Sequence, residues 1–418
     1  MAPPTPGCVL GDVRFIPLTY DSNLAENGDP YASARKLIHA VAPEWAEAPG
    51  SDLKFIRFTD GITNTLLKVI NQRPGLTKAD LDREAILLRA YGKGTAVLID
   101  REREAANHEL LMRFDLAPAL LARFENGMLY RYISGTPATH HDLRDRSTLL
   151  ATARRLAQWH ATVPCFSDSY LKTNGVIDGL FQTNGNAEKK AIDETAPGKA
   201  PPNLWTVMHK WILALPRKTQ AECERQDLLL QEMKHLVDQL SQRPGLGENG
   251  LVFAHCDLLC ANIIMHKDKH ASSVTKSVSF IDYEYATPSP AAFDIANHFA
   301  EWAGYDCDYT MVPTRDHRQA FISEYVKTYL ELSGEPLDHE EETRKLFEEV
   351  DVFRGVPGFY WGIWSSIQAT ISEIDFDYAA YAESRLGEYW AHKAEADGSR
   401  AASGKEMPLR ERTWAAAE

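Results

Sequence analysis

His255, Asp257 and Asn262 stand in the most chemically suggestive stretch of the sequence. Residues 251–265 read LVFAHCDLLCANIIM, an apolar run, a polar loop and a second apolar run, with the three side chains spaced H-x-D-x-x-x-x-N. A carboxylate and an amide held in one loop between two strands can be aimed at a common point. Transfer of a phosphoryl group to a hydroxyl uses such a pair. The carboxylate meets the attacking hydroxyl and takes its proton, and the amide oxygen holds a divalent metal that neutralises phosphate charge. A second metal ligand follows in VSFIDYEYA, whose apolar run ends at Asp282. Asp and Asn also build ordinary turns, but the spacing, the flanking strands and the strand-end carboxylate together favour the chemical reading.

The H-x-D-x-x-x-x-N spacing is that of the protein-kinase catalytic loop, so phosphate-holding parts are expected in the first half of the chain. FIRFTDGITNTLLKV reads strand, turn, strand. Its turn residues Gly61, Ile62, Thr63 and Asn64 are candidate phosphate contacts, because glycine lets backbone N–H groups approach a phosphate closely. The turn lacks the G-x-x-x-x-G-K-[ST] pattern of a Walker loop, and D-G turns also join ordinary hairpins. AILLRAY places Arg89 inside an apolar run, which is costly unless the charge is paired or sits on a site. Glu104 is the candidate partner, with Glu102 and Glu109 competing for the same role.

Near the end, FYWGIWSSIQATISEIDFDYAAY places Trp361 and Trp364 at i and i+3, hence on one helix face, and HFAEWAGY supplies Glu301, Trp302 and Tyr305. Aromatic faces with one carboxylate suit an ammonium group, although aromatics at helical spacing also serve as core. His255, Cys256, Cys260 and His266 crowd together but match no usual zinc pairing. The sequence also has no G-x-S-x-G elbow of a hydrolase.

The elements that must position these residues change in character along the chain. Residues 31–48 carry a helical spacing. From 53 to 99, the short β-rich pieces FIRF, TLLKVI, ILLRAY and TAVLI are separated by turn residues; a helix is expected over about 100–114. LLARFEN and MLYRYI then flank a turn at Asn126–Gly127. This reads as an antiparallel sheet with one inserted helix. After Gly135 the pattern is helical over 146–162 and 205–241, with a polar loop at 182–203. A β section at 251–286 follows, and then helices to about 393. The net charge of −14 argues against a nucleic-acid surface. The scattered cysteines suit a reducing compartment. MAPPTPG lacks the charged-then-apolar pattern of a secretory leader, and no apolar run is long enough to span a membrane. The expectation is a cytoplasmic protein.

FTDGITN (58–64), LLRAYG (87–92), CDLLCANII (256–264), FIDYEYA (280–286), AFDIANHFAEWAG (292–304) and WGIWSSIQATISEIDFDYAAYAESR (361–385) resemble the choline/ethanolamine kinase family. The resemblance spans roughly 50–390 and implies an α+β, bilobal protein-kinase-like fold. Such a fold has a small antiparallel-sheet N-lobe with one helix and a large, mainly helical C-lobe. The expected domains are an N-terminal extension over 1–30, the N-lobe with its phosphate loop over 31–133, the C-lobe over 134–393 and a disordered tail over 394–418. The resemblance implies ATP and Mg²⁺ as cofactors and an amino alcohol as acceptor. The phrases are more similar to ethanolamine-directed members than to choline-directed ones, so ethanolamine leads, with choline as the alternative; a homodimer is left open. By motif, Asp257 would be the catalytic base, and Asn262 and Asp282 the metal ligands. Arg89, paired with Glu104, would hold phosphates under the Gly61–Asn64 loop. The Tyr130–Ile133 stretch, including Tyr132, would lie near adenine. Tyr285, Glu301, Trp361, Trp364 and Tyr381 would line the acceptor pocket, with Trp302 beside them. Two departures stand out: Cys256 replaces the family's usual Asn, and Ala296 its usual Gly.

Overall fold

The computed structural model describes residues 13–22, 28–47, 50, 52–58, 64–92, 97–165, 202–247, 250–268, 274–372 and 374–417. The chain divides into two compact units, residues 1–135 and 136–418.

The first unit is built on a six-stranded sheet. In chain order its elements are β1 (Arg14–Ile16), α1 (Ala32–Val41), α2 (Glu44–Glu47), β2 (Asp52–Phe58), β3 (Asn64–Gln72), α3 (Lys78–Glu84), β4 (Ile86–Tyr91), α4 (Arg101–Arg113), β5 (Leu120–Phe124) and β6 (Gly127–Arg131). The sheet order is β1-β5-β6-β4-β3-β2. All neighbours are antiparallel except β1, which runs parallel to β5. Apolar residues of α1, such as Leu37 and Ile38, share a buried core with Leu67, Val69, Ile86, Leu88 and Leu129 from the central strands. Removing that apolar surface from water is what holds α1 on the sheet.

Several local expectations change. Arg14–Ile16 belongs to the sheet instead of a frayed extension; three residues are too few to display a strand period. Between β2 and β6 the sheet is interrupted by two helices, because Thr77 and Asp80 form a capping box that starts α3. Residues 97–99 of the TAVLI piece are not a strand; they lead into Asp100, whose side chain caps α4.

The second unit is mainly helical. It contains β7 (Thr136–Pro137), α5 (His140–Arg144), α6 (Arg146–Thr162), α7 (Leu204–Leu213), α8 (Gln220–Leu240), β8 (Val252–Ala254), β9 (Ile263–Lys267), β10 (Thr275–Phe280) and β11 (Thr287–Ser289). Then come α9 (Ala291–Ala300), α10 (Arg315–Ser333), α11 (His339–Phe353), α12 (Val356–Ile371), α13 (Tyr378–Ala396), α14 (Ser399–Ala402) and α15 (Leu409–Ala415). The apolar stretch over 205–241 is two helices, since Pro216 cannot continue α7. The strands form a β10-β9-β7 sheet and a β11-β8 pair. The segment over 394–417 is not structureless: α15 buries Arg410, Glu411 and Trp414. One aromatic anchor and a charge pair hold it, a signal that low sequence complexity conceals. No helix among the described residues is long and apolar enough to cross a membrane.

Candidate active site

In the first unit, β4 carries Arg89 opposite Leu66 on β3 and Met128 on β6. A Cβ at Gly127 would stand 2.1 Å from the Arg89 carbonyl oxygen, so only glycine lets β6 pass the Arg89 backbone this closely. The buried Arg89 side chain lies 3.4 Å from Glu104 Oε1, and Arg101 Nη1 donates to Glu104 Oε2 at 2.8 Å. Of the three competing glutamates, Glu104 therefore pairs with Arg89, while Glu102 pairs with Arg123. Two guanidiniums thus face one carboxylate. Arg101 also stacks on Tyr91 and reaches Asn64 Oδ1 at 3.5 Å. Gly61, Ile62 and Thr63 lie outside the described residues. Tyr132 and Ile133 follow β6, half-buried, with Lys68 Nζ 3.6 Å above the Tyr132 ring.

In the second unit, Asp257 follows β8, Asn262 closes a short 3₁₀ turn before β9, and Asp282 follows β10. Pairing of β9 with β10 brings Ile263 opposite Phe280, which sets the Asn262 and Asp282 backbones near each other. The Asn262 amide nitrogen donates to the Asp257 carbonyl at 2.8 Å and to its carboxylate at 3.2 Å. His255 is held neutral by burial. Its Nδ1 accepts from the Asp257 backbone N–H, and its Nε2 donates to the Ile281 carbonyl at 3.1 Å, a tautomer assigned from these two partners. One imidazole thus ties the catalytic-loop backbone to the turn that presents Asp282. Cys256 and Asp282 both adopt left-handed backbone angles, with φ of 63° and 67°. Such conformations are uncommon for non-glycine residues and persist where surrounding contacts impose them.

At Cys256 those contacts come from α9. Asp294 accepts from the backbone N–H groups of His255 at 3.0 Å and Cys256 at 2.7 Å. Asn297 Nδ2 donates to the Cys256 carbonyl, and His298 Nδ1 donates to the Leu258 carbonyl. Burial alone would raise the Asp294 carboxyl, but bonds from His160 and the His255 backbone hold it below the ordinary range. Sequence reasoning gave none of these three residues a role. The signal was available: Asp, Asn and His at i, i+3 and i+4 make a polar stripe on an otherwise apolar helix.

The aromatic residues connect to the same anchor. Trp361 Nε1 donates to Asn297 Oδ1 at 2.8 Å, and Trp364 Nε1 donates to the Tyr285 hydroxyl at 2.8 Å. The Tyr285, Trp361 and Trp364 rings meet edge to face. Both indole N–H groups are spent on neighbours, so the tryptophans have ring faces left to offer a ligand. Glu301 Oε1 accepts from Arg385 Nη2 at 2.8 Å, and Arg385 lies 5.8 Å over the Tyr381 ring. Trp302 instead packs on His298, Phe299 and His317. Its described ring contacts thus lie away from the Tyr285–Trp361–Trp364 group. Burial pushes the Asp257 carboxyl well above the usual carboxylate range, reinforced by Asp282, Glu301 and Glu284. Burial likewise raises Glu301, against the pull of Arg385.

The family model described as choline/ethanolamine kinase matches residues 55–390. The chain belongs to the choline/ethanolamine kinase family. It is 34% identical over 375 residues to a probable ethanolamine kinase of Nematostella vectensis, covering 87% of this chain and 94% of that one. It is 30% identical to human ethanolamine kinase 2, covering 95% of this chain and 89% of that one. A solved structure of a Plasmodium vivax ethanolamine kinase matches with a TM-score of 0.63 and 26% identity, over 88% of this chain and 90% of that one. Membership in this kinase family carries the protein-kinase-like fold, and a kinase draws its phosphoryl group from a nucleotide.

Proposed function

We propose that this chain uses ATP and Mg²⁺ to phosphorylate the hydroxyl of ethanolamine, giving phosphoethanolamine and ADP. The observation that carries the reading is the carboxylate group of Asp257, Asp282, Glu284 and Glu301, in which burial and the neighbouring carboxylates raise the proton affinity of Asp257, and burial that of Glu301. A divalent metal and an ammonium are the two cations such a reaction brings. The names of the relatives support ethanolamine as the acceptor.

The residues fit a metal held by hard oxygens. Asn262 spends its amide nitrogen on Asp257, which leaves its carbonyl oxygen as a donor, and Asp282 adds a carboxylate. Among the described residues no three His, Cys, Asp or Glu side chains form a metal cage. A metal shared with phosphate oxygens fits that donor set better than a protein-only site. When bound, Mg²⁺ neutralises charge developing on the phosphates.

Asp257 orients the ethanolamine hydroxyl and accepts its proton as the oxygen bonds to the γ-phosphorus and the bond to the β-phosphate oxygen breaks. The backbone bonds to Asp294, Asn297 and His298 hold Asp257 ready, so positioning supplies much of the rate. Arg89, oriented by Glu104, meets phosphate oxygens. Tyr285, Trp361 and Trp364 offer ring faces to the ammonium, and Glu301 accepts its hydrogen bond.

Initial-rate ADP release should be compared with ethanolamine, choline and no acceptor. A large ethanolamine-dependent rate with weak choline turnover is expected. Preference for choline would overturn the substrate and keep the chemistry, and no acceptor-dependent release from folded protein would overturn both.

A further inference from the structure

The family match ends at residue 390, yet the chain beyond it is docked on the second unit. The α15 helix buries Arg410, Glu411 and Trp414. Trp414 Nε1 donates to Asp351 Oδ1 at 2.7 Å, its carbonyl accepts from Arg318 at 2.7 Å, and the Arg318 guanidinium lies 4.0 Å over its ring. Past the helix, the Ala416 carbonyl accepts from the Arg315 backbone N–H at 2.8 Å. This is a specific seat with directional bonds at both ends.

The charges of α15 belong to a longer series of alternating sign. Arg354 Nε donates to Glu411 Oε2 at 3.0 Å, and Arg410 Nη1 donates to Glu411 Oε1 at 2.8 Å. Arg410 Nε lies 3.5 Å from Glu388 Oε2, and Glu388 Oε1 lies 3.6 Å from Arg385 Nε. Arg385 ends the series on Glu301 at 2.8 Å. Three arginines and three glutamates balance, and five of the six side chains are no more than 6% exposed. The α12–α13 contact keeps the middle of the series in place. A Cβ at Gly358 would meet the Arg385 carbonyl oxygen at 2.5 Å, so this glycine is what lets the two helices approach so closely.

Arg385 therefore stands between two carboxylates, and which one it serves depends on how well Glu388 is neutralised by Arg410. Buried charges left without a counter-ion are costly. If Arg410 were removed, Arg385 would be drawn to Glu388 on its own helix and its hold on Glu301 would loosen. We propose that Arg410 is a positioning residue for the acceptor pocket, acting through Glu388 and Arg385 to hold the Glu301 carboxylate where it meets the acceptor's ammonium. The inference rests on the ethanolamine reading above. It assigns to the segment beyond the family match a part in acceptor recognition.

The test is steady-state kinetics on the full chain, varying ethanolamine and ATP separately, for wild type, Arg410→Met, Arg410→Lys and Trp414→Phe. Arg410→Met should raise the ethanolamine KM about tenfold, mid-range for coupling within one charge network. The ATP KM and kcat should stay within about twofold, because the series ends on the acceptor side. Arg410→Lys, which keeps the charge, should recover most of the loss. Trp414→Phe, which disturbs the same helix outside the series, should leave the ethanolamine KM unchanged. An unchanged ethanolamine KM in folded Arg410→Met protein would overturn the inference. So would parallel losses in ATP KM, kcat and melting temperature that Lys does not rescue, since those mark a merely structural role. Wild-type protein that turns over no amino alcohol would overturn the functional reading and this inference with it, a result distinguishable because it precedes any substitution.

Discussion

The two units handle buried charge in opposite ways. Around Glu104 in the first unit, two guanidiniums face one carboxylate. Around Asp257 in the second, carboxylates gather, with Arg385 committed to Glu301 and Glu388. The proposed phosphate-bearing donor and the proposed metal and ammonium suit these opposite arrangements. The scaffolds differ accordingly. Sheet register and Gly127 fix Arg89 in the first unit, whereas a polar stripe on α9 holds a strained loop in the second.

The sharpest break of this comparison is Asp257→Asn, which removes the carboxylate proposed to receive the proton. The kcat should fall about a thousandfold, within the range for a lost general base, while circular dichroism and melting stay close to wild type. Retention of even a tenth of the activity would remove Asp257 from its role.

Acid should distinguish the units next. Burial holds His298 and His392 in the second unit at about 4, and His108 alone in the first. Their unfolded value is 6.5, so the folded state disfavours their protons. The stability they contribute is complete above about 6.5 and is lost as pH falls through about 4. Each is worth up to about 3 kcal/mol. Urea midpoints read by a probe in the first unit should fall from pH 7 to pH 4.5, and by less per titrating histidine in the second, where protonation relieves the raised Asp257 and Glu301 carboxyls. A first-unit midpoint independent of pH would contradict the neutral, buried assignment of His108.

Substitutions that touch one of these clusters at a time should separate the two substrates. Glu104→Gln frees Arg89 and Arg101 from their shared partner and should raise the ATP KM about tenfold, at the cost of stability in the first unit. It should leave the ethanolamine KM alone. Trp364→Phe loses the bond to Tyr285 but keeps a ring, and should raise the ethanolamine KM about threefold, with the ATP KM unchanged. If both variants moved both constants equally, the charge division would not map onto the two substrates.

The smallest effect is expected at Cys256. Its left-handed backbone suits Asn better than Cys, and its buried Sγ already lies 3.4 Å from Ser289 Oγ. Cys256→Asn should change kcat by less than about twofold and stability by about 1 kcal/mol or less. The Asp294 and Asn297 bonds are made to the Cys256 backbone, so loop geometry does not depend on this side chain. A large gain in rate would show that the cysteine does limit the loop.

Much of this was legible in the sequence because short motifs carry their own context. The H-x-D-x-x-x-x-N loop, its flanking strands and the strand ending before Asp282 could be read from apolar runs broken by polar residues. The strands carrying Asn64 and Arg89 were legible the same way. Other features depended on tertiary partners. Arg385 reads as an exposed helical arginine until Glu301 and Glu388 are brought to it. The choice of Glu104 over Glu109 needed the facing of α4 against β4. Residues 409–415 looked structureless because their docking rests on Trp414 and a few ion pairs and shows no periodic apolar face. The α3 helix was a different kind of miss, since its Thr77–Asp80 capping box is local and was overlooked among turn residues.

The central claim is that the second unit's carboxylate site directs phosphoryl transfer to an amino alcohol. Phosphorus NMR of wild-type protein with ATP, Mg²⁺ and ethanolamine tests it most directly. One phosphomonoester should form for each ADP, and none when ethanolamine is left out. Release of inorganic phosphate alone, or ADP formation indifferent to the acceptor, would contradict it.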